Sequence, residues 1–294
     1  MKPLILGTAQ FGQRYGITNF HGPPTEEEIR SILAIAWEKG IKAIDTAAAY
    51  GDSETILGKV ISDAPWRIIS KVPKNSKTLT GKAYGRFLRN SIYQSLRKLR
   101  QSVLDTLLIH SAADLLSGEG PYLYDKLRQF QSEGLIRKLG VSVYTGTEIE
   151  KICGEFKVDV IQAPISILDQ RLIESGYLSW VQREGIEVHA RSIFLQGILL
   201  TPLEDLPKIF DPIKLHIARL HEVAESRGTT VLDLCVGFVS TLKDLDGLVI
   251  GVESKAHLQQ ILRSASSPQN IGDMSHLAIN DSRFLHPGNW TRLN

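Results

Sequence analysis

The stretch Ile41-Lys-Ala-Ile-Asp45-Thr-Ala-Ala-Ala-Tyr50 decides how this chain is expected to fold. It opens with a short apolar run typical of a buried β-strand, and Asp45 stands where that strand would end. Upstream, Thr25 and Glu28 have the spacing of a capping box, which predicts the start of an amphipathic helix. Downstream, apolar residues at helical spacing predict a second helix over Ser53–Ile61. The stretch therefore reads as one strand between two helices.

The same strand-and-helix unit recurs along the chain. Short apolar runs alternate with amphipathic stretches, which predicts a parallel sheet with right-handed crossovers, and eight such units are the number in a (β/α)8 barrel. The predicted strands are Leu4–Leu6, Ile41–Ile44, Arg67–Ile69, Asp105–Ile109, Ile136–Val141, Val158–Ile161, Ile186–His189 and Leu248–Ile250. The later predicted helices are Thr80–Arg100, Tyr122–Ser132, Thr145–Phe156, Arg171–Arg183, Pro212–Ser226, Thr230–Ser240 and Lys255–Ser264.

The length of 294 residues leaves a choice between one domain and two. No low-complexity tract, charge block or Pro-rich linker marks a boundary, so we predict one α/β domain over residues 1–294, a TIM barrel. Its core would cover about residues 4–264, with extra helix and loop segments, and residues 265–294 would form a C-terminal tail over the barrel. A doubly wound open sheet is the rival fold, but its usual Gly-rich phosphate fingerprint is absent from the sequence.

Composition excludes several classes of protein. Apolar residues make up 43% of the chain and charged residues 22%, which is too balanced for a disordered chain. The net charge of +2 does not predict nucleic-acid binding, and no window approaches the ~18 consecutive apolar residues of a membrane span. The first residues lack a signal-peptide pattern, and two cysteines are too few for a disulfide framework. We expect a cytoplasmic protein that is a monomer or a weak oligomer.

Chemically active side chains are predicted at the carboxyl ends of the strands, which meet at one mouth of a barrel. The second, third and fourth strands end at Asp45, Lys71 and His110, and Tyr50 follows Asp45 in the loop. A nearby ammonium would lower the tyrosine pKa from about 10, and an aspartate would keep that ammonium charged. A histidine can orient a carbonyl oxygen. The four residues are therefore expected to protonate an oxygen while another group attacks its carbon.

Several motifs resemble those of the aldo-keto reductase superfamily. The segment from Ile44 to Gly58, which contains Asp45 and Tyr50, is similar to the signature of that family. Later segments of this chain are similar, in the same order, to further motifs of that family. These segments are Ile69-Ser-Lys71, Leu107-Leu-Ile-His110, Leu139-Gly-Val-Ser142, Gln162, Arg191–Gly197 and Val249–Ser254. The resemblance covers nearly the whole chain, from Gly7 to about Leu262.

The resemblance implies a carbonyl reductase that uses NADPH/NADP, with NADH as the alternative cofactor. Tyr50 would be the general acid, Asp45 and Lys71 the pair that tunes its pKa, and His110 the group that orients the carbonyl. The implied cofactor contacts are Gly7, Thr8, Ala9, Asp45, Ser142, Gln162, Arg191, Ser192, Phe194, Leu195, Gln196, Gly197, Gly251, Val252, Ser254, His257 and Gln260. No metal is required by this chemistry, and no metal site is predicted.

Among these contacts, Ser142 and Gln162 would bond the nicotinamide carboxamide. The segment Arg191–Gly197 would surround the pyrophosphate with backbone N–H groups, and the region from Gly251 to Gln260 would hold the adenosine end.

Aromatic side chains near the predicted mouth suggest a small carbonyl compound or a sugar as the substrate. The predicted substrate contacts are Phe11, Tyr15, Tyr144, Phe194 and Trp290. For Trp290, together with Phe284, the alternative is that the ring fastens the tail to the barrel.

Two positions depart from the usual family pattern at the nicotinamide. Val143 stands where an asparagine is common, and Arg191 stands where an aromatic ring commonly stacks on the nicotinamide. A guanidinium is planar and can also stack, but it would repel the oxidised, positively charged ring. We hypothesise that Arg191 favours the reduced cofactor; the alternative is an arginine bound to the pyrophosphate.

A third departure concerns the 2′-phosphate of NADPH. Gly251 and His257 occupy positions where lysine and arginine are common. Lys255 and Arg263 lie near in sequence and could replace them, whereas Glu253 would oppose a phosphate.

Two other functions remain open from the residues alone. A lysine at a barrel strand end could form a Schiff base, which would make Lys71 the reactive group of an aldolase. This reading leaves the spacing of Asp45 and Tyr50 unexplained. The other alternative is a regulatory subunit that binds the cofactor without turnover, which the presence of all four expected residues argues against.

Overall fold

Eight parallel strands close into a barrel in the computed structural model, which describes residues 2–17, 19, 21–61, 64–76, 78–266 and 271–292. Each strand pairs with its neighbour in sequence, and the first pairs with the last to close the barrel. The strands are β1 (Leu4–Gly7), β2 (Ala43–Asp45), β3 (Arg67–Val72), β4 (Leu104–Ile109), β5 (Ile136–Ser142), β6 (Val160–Pro164), β7 (Glu187–Arg191) and β8 (Gly247–Gly251). The predicted single-domain TIM barrel is confirmed.

Helices follow the strands in alternation. They are α1 (Ala9–Gly12), α2 (Glu26–Glu38), α3 (Ser53–Val60), α4 (Gly81–Leu99), α5 (Ala112–Leu115), α6 (Gly120–Ser132), α7 (Gly146–Glu155), α8 (Arg171–Glu174), α9 (Tyr177–Arg183), α10 (Lys214–Ser226), α11 (Val231–Thr241), α12 (Lys255–Ser266) and α13 (Ser282–Leu285). Short 3₁₀ helices cover Leu195–Leu200, Lys208–Ile213, Ser275–Leu277 and Pro287–Arg292. In the part of the chain that the structure describes, no helix has the length and apolarity needed to cross a membrane.

The predicted helix over Arg171–Arg183 is wrong, because the structure has two helices there. α8 ends before Ser175, and α9 begins after Gly176. Gly176 has a φ of 73°, a left-handed conformation that glycine adopts without the steric cost that a Cβ brings. The glycine therefore lets the chain turn between two short helices.

The capping box predicted at the start of α2 is only half formed. Thr25 Oγ1 accepts the backbone N–H of Glu28 at 3.2 Å, as expected. The carboxylate of Glu28 instead accepts the backbone N–H of Lys255 at 2.7 Å, at the start of α12. A carboxylate at a helix N-terminus is favourable, so Glu28 stabilises the last helix of the barrel as well as its own.

The C-terminal tail crosses the loops that follow the strands at the mouth. Gln170 Nε2 donates to the carbonyl of Met274 at 2.8 Å, and the Ile279 N–H donates to the carbonyl of Leu168 at 2.9 Å. These contacts place the tail over the barrel. Residues 267–270 and 293–294 of the predicted tail lie outside the described residues.

Two aromatic residues predicted to contact the substrate are used in the core. Trp290 is 7% exposed, meets the Phe210 ring edge-on at 5.0 Å and donates its indole N–H to the carbonyl of Phe284. Phe11, in α1, has no exposed surface. The substrate prediction is therefore wrong for both rings, since Trp290 fastens the tail and Phe11 fills the core.

Packing between α3 and α4 depends on a glycine. A Cβ at Gly58 would lie 1.9 Å from the carbonyl oxygen of Lys98, whereas a Cβ at Gly154 in α7 would meet nothing within 4 Å. We expect Gly58→Ala to lower the free energy of unfolding by about 1–3 kcal/mol, because overpacking forces the helices apart. The matched control Gly154→Ala should raise it by about 0.5–1 kcal/mol through helix propensity. Chemical denaturation measures both, and equal effects would contradict this account of the packing.

Candidate active site

The four residues predicted to act together are neighbours at the mouth of the barrel. Lys71 Nζ lies 2.5 Å from Asp45 Oδ1 and 4.9 Å from the centroid of the Tyr50 ring. The His110 ring meets the Tyr50 ring edge-on, with centroids 5.9 Å apart. Asp45 ends β2, Lys71 lies in β3 and His110 follows β4, so adjacent parallel strands carry these groups to the same place.

Asp45 and Lys71 form a buried ion pair whose other polar atoms are also satisfied. The two residues are 3% and 2% exposed. Lys71 Nζ also donates to the carbonyl of Thr46 at 3.0 Å, and Gln162 Nε2 donates to Asp45 Oδ2 at 2.8 Å. Burial lowers the pKa of Lys71 below its ordinary value, and the charge and hydrogen bond of Asp45 oppose that shift. Held this way, the two charges keep fixed positions beside Tyr50 and His110.

Hydroxyl groups hold the loop that carries Tyr50 against the barrel. Ser53 Oγ bonds Thr8 Oγ1 at 2.9 Å and Thr46 Oγ1 at 3.1 Å, and Thr8 Oγ1 donates to the backbone carbonyl of Asp45 at 3.0 Å. These buried bonds join the ends of β1 and β2 to the start of α3. Sequence reasoning did not identify this network, since isolated serine and threonine residues give no signal of their partners.

A close approach of two backbone segments completes this support. A Cβ at Gly12 would lie 2.0 Å from the carbonyl oxygen of Tyr50, and Gly51 has a φ of +53°. Only glycine at Gly12 lets α1 pass so near the loop. Gly12 and Gly51 are the sequence signal that could have predicted this contact between α1 and the Tyr50 loop.

Tyr50 is held in its protonated form. Burial raises its pKa above the ordinary value, and the charge of Asp45 adds to the rise while Arg191 opposes it. The predicted lowering of this pKa by Lys71 is not found, because burial and the charge of Asp45 raise it. A phenol with a raised pKa keeps its proton at neutral pH.

His110 is held neutral. Burial lowers its pKa from 6.5 to about 4, and the charge of Lys71 adds to the shift. A neutral imidazole has one N–H to donate, which suits it to hold a carbonyl oxygen without a charge.

A cavity of about 650 Å³ opens beside Tyr50 and Asp45. Its size is within the range of small-molecule and cofactor sites. The predicted cofactor contacts that line it are Gly7, Thr8, Ala9, Asp45, Gln162, Arg191, Ser192, Phe194, Gln196, Gly197, Gly251 and His257. Five others do not line it: Ser142, Leu195, Val252, Ser254 and Gln260. Of the predicted substrate contacts, Tyr15 and Phe194 line the cavity.

Further lining residues were not proposed as contacts from the sequence. They are Gln10, Gly16, Ile17, Ile193, Leu200, Thr201, Pro202, Asp205, Pro207 and Val249. Most belong to the loops after β1 and β7, where the sequence has no periodic pattern that would indicate which side chains face inward. Glu253, whose charge is expected to oppose a 2′-phosphate, also lines the cavity.

The shape of the cavity wall fits a nicotinamide cofactor. Gly7 and Gly251 are paired in register at the ends of β1 and β8, and a Cβ at Gly251 would lie 2.6 Å from Gln10 Nε2. In this part of the wall the side chain of Gln10 therefore packs directly against the backbone of Gly251, which only a glycine allows. Ser192, at a φ of 59°, and Gln196, at 53°, turn the loop after β7 through left-handed conformations. Such turns point successive N–H groups in one direction and can cradle an anion.

Tyr15 lies beside Tyr50 and links two loops across the cavity. Its ring centroid is 6.4 Å from that of Tyr50, and its hydroxyl accepts a hydrogen bond from Gln196 Nε2 at 3.0 Å. Burial raises the pKa of Tyr15 to about 12, so its own O–H proton remains available for donation.

Arg191 points its guanidinium toward the end of β5. Its Nη2 donates to the carbonyl of Val143 at 3.1 Å, and the guanidinium carbon lies 4.2 Å from the centroid of the Tyr144 ring. His286 of the tail stacks on the other side of Tyr144, at 3.5 Å between centroids. Tyr144 does not line the cavity, and the structure gives it a contact with Arg191 and the tail in place of the predicted contact with substrate.

No group of three or more His, Cys, Asp or Glu side chains within the described ranges could hold a metal ion. Cys153 is half-buried and Cys235 is buried, and both are free cysteines.

The buried pair should make a large contribution to stability when one partner alone is removed. We expect Asp45→Asn to lower the free energy of unfolding by about 3–5 kcal/mol, because it leaves the Lys71 ammonium unpaired in the interior. The double variant Asp45→Asn/Lys71→Met should recover part of that loss. As a control, Glu26→Gln removes one partner of the exposed pair Glu26–Lys59 and should cost less than about 1 kcal/mol. Denaturant titrations that find additive effects for the pair would refute this.

Comparison with known proteins gives one consistent result. The chain is 27% identical over 198 residues to D-arabinose 1-dehydrogenase of Saccharomyces cerevisiae, covering 62% of this chain and 56% of that one. It is 31% identical over 170 residues to methylglyoxal reductase DkgB of Salmonella typhi, covering 55% of this chain and 60% of that one. The chain thus spans under two thirds of the length of these curated relatives.

A solved structure shows the same fold over nearly the whole chain. The holo form of an aldo-keto reductase from Bacillus halodurans superimposes with a TM-score of 0.72 at 19% identity, covering 93% of this chain and 90% of that one. The sequence model of the Aldo/keto reductase family matches residues 3–279. With the barrel, the signature residues and this match together, the chain belongs to the aldo/keto reductase family.

Proposed function

We propose that this protein reduces an aldehyde or ketone, a small carbonyl compound or a sugar, to an alcohol, with Tyr50 as the general acid. The observation that carries the proposal is a protonated, half-buried phenol beside a cavity, with a neutral imidazole edge-on to it and a buried ion pair behind it. A bound nicotinamide cofactor supplies the hydride that reaches the carbonyl carbon. The names of the relatives, a methylglyoxal reductase and a sugar dehydrogenase, support the same class of reaction.

The residues around Tyr50 divide the remaining work. Tyr50 donates its proton to the carbonyl oxygen, and the neutral His110 ring holds that oxygen by hydrogen bonding. The pair Asp45–Lys71 fixes the base of the site, and the Lys71 ammonium, 4.9 Å from the centroid of the Tyr50 ring, is the proton source from which Tyr50 is reprotonated. Burial and the charge of Asp45 keep the proton on Tyr50 before the substrate arrives.

The Schiff-base alternative is not supported by this geometry. Lys71 does not line the cavity, and its ammonium donates to Asp45 and to the Thr46 carbonyl. A Schiff base needs an uncharged amine that can reach a substrate carbonyl.

Tyr50→Phe tests the proposal directly. With NADPH and a panel of aldehydes and ketones, the variant should lose about 10²- to 10⁴-fold in kcat, because the proton donor is absent. Cofactor binding, followed by fluorescence titration, should be retained. The control is Tyr93→Phe, which removes the hydroxyl of a half-exposed tyrosine in α4, outside the cavity. Equal rates for Tyr50→Phe and the wild type would refute the role of Tyr50. A wild type that binds NADPH but oxidises none of it across the panel would favour a regulatory subunit.

We further propose that NADPH is the preferred cofactor and that NADH is a weaker one. In support of this, His257 lines the cavity, and Lys255 and Arg263 are exposed on α12. Two acids oppose a 2′-phosphate there: Glu253 lines the cavity, and Glu28 already accepts the Lys255 N–H.

Removing the negative charge of Glu253 should therefore increase the preference for NADPH over NADH. Glu253→Gln is expected to raise the ratio of kcat/KM for NADPH over NADH roughly fivefold, since one partly solvated charge interaction is worth about 1 kcal/mol. Glu155→Gln, an exposed charge change at the end of α7, should leave the ratio unaltered. A wild type that prefers NADH would contradict the proposed cofactor, and an unchanged ratio in Glu253→Gln would contradict the role of that carboxylate.

A further inference from the structure

The charges around Tyr50 leave one cation unmatched. Lys71 is paired with Asp45, and His110 is held neutral. Arg191 lines the cavity, and over the residues that the structure describes it forms no ion pair with any carboxylate. An unpaired, half-buried charge is costly unless something of opposite charge is bound there.

The neighbours of Arg191 orient the guanidinium without neutralising it. Tyr144 and Val143 hold one side, and Nη1 has a long contact of 3.4 Å with Ser192 Oγ. The Nε–H is buried and has no acceptor. Every group that Arg191 touches in this set is uncharged, so none of them neutralises its positive charge.

The charged residues that line the cavity indicate where in the cavity an anion would bind. Arg191 and Tyr50 line the same cavity, and the charge of Arg191 lowers the pKa values of Tyr50, Tyr15 and His110. Glu253 follows β8, approaches Gly16 and also lines the cavity, so its carboxylate opposes an anion in its own part of the wall. An anion is therefore favoured where Arg191 lines the cavity.

We propose that Arg191 binds the carboxylate of the substrate, so that the cavity takes carbonyl compounds bearing a carboxylate, such as 2-oxo acids or aldehyde acids. A planar guanidinium can bind a carboxylate through two parallel hydrogen bonds, and it can do so while stacked on Tyr144. This inference rests on the proposed carbonyl reduction and adds its substrate class. Because Arg191 and Tyr50 line the same cavity, a carboxylate held at Arg191 leaves the carbonyl group of the substrate in the cavity that Tyr50 lines.

The guanidinium of Arg191 could instead bind a phosphate group of the cofactor. The experiment must therefore distinguish a substrate carboxylate from a cofactor phosphate at Arg191. Benzoylformate and succinic semialdehyde are compared with their methyl esters, which keep the carbonyl and lose the charge. The quantity measured is the ratio of kcat/KM for each acid to that for its ester. Acid and ester differ in intrinsic reactivity, so the ratio in one protein is not informative by itself. The test is whether the acid-to-ester ratio of kcat/KM changes from the wild type to the variant.

In Arg191→Met the acid-to-ester ratio should fall about ten- to a hundredfold, mainly through KM for the acid, since the charged hydrogen bonds are lost. Arg191→Lys should give an intermediate ratio, because it keeps the charge but not the paired geometry. Arg86→Met, at an exposed position in α4, removes the same charge from another surface and should leave the ratio as in the wild type. Thermal unfolding checks that all three variants are folded.

Each other outcome overturns the proposal. If Arg191→Met weakens the Kd for NADPH while the acid-to-ester ratio is unchanged, the anion at Arg191 is the cofactor phosphate. If the esters are reduced and the ratio does not depend on Arg191, carbonyl reduction stands but the substrate class is wrong. If the wild type reduces neither acids nor esters, the proposed function itself fails. In that case calorimetry with benzoylformate still tests the site, because a Kd that is the same in Arg191→Met excludes a carboxylate at this residue.

Discussion

The ion pair between Asp45 and Lys71 is the interaction on which the rest of the site depends. Two opposite charges in a dry interior are tolerated only when each is close to the other and its remaining lone pairs or protons are satisfied. Here the Thr46 carbonyl and the Gln162 amide meet that requirement. Because its polar atoms are satisfied, the pair supplies structure to the mouth of the barrel, and the charge of Asp45 together with burial raises the pKa of Tyr50. The phenol keeps its proton, and the cavity beside it holds a neutral acid.

The barrel offsets the cost of burying these two charges because it places Asp45 and Lys71 on adjacent strands. Asp45 ends β2, and Lys71 lies in β3 two residues beyond the partner of Asp45 in the strand register. Parallel strands with this register carry side chains to the same edge without help from the loops. The loops add the groups that need a more exposed position, namely Tyr50 after β2 and His110 after β4. Rigid strands thus hold the charges, and the loops hold the groups proposed to meet a substrate.

Fold and site were predictable from the sequence to different extents. Alternating short apolar runs and amphipathic stretches indicated the barrel because both patterns are local. The four residues around Tyr50 could be grouped because strand ends converge in any barrel. The contact of Glu28 with Lys255 could not be anticipated, since the two are separated by 227 positions. The burial of Phe11 and Trp290 depends on which loop covers which ring. The pKa direction of Tyr50 depends on whether Lys71 is already paired, which requires distances and not only residue types.

The pairing of β1 with β8 also bears on how the chain acquires its structure during synthesis. β1 is synthesised before β8 and pairs with that strand only when the barrel closes. Until then one edge of Leu4–Gly7 has exposed N–H and C=O groups, which are prone to pair with other extended chains. The cavity wall that contains Gly7 and Gly251 forms at the same late step, so closing the barrel both protects this edge and completes the cavity.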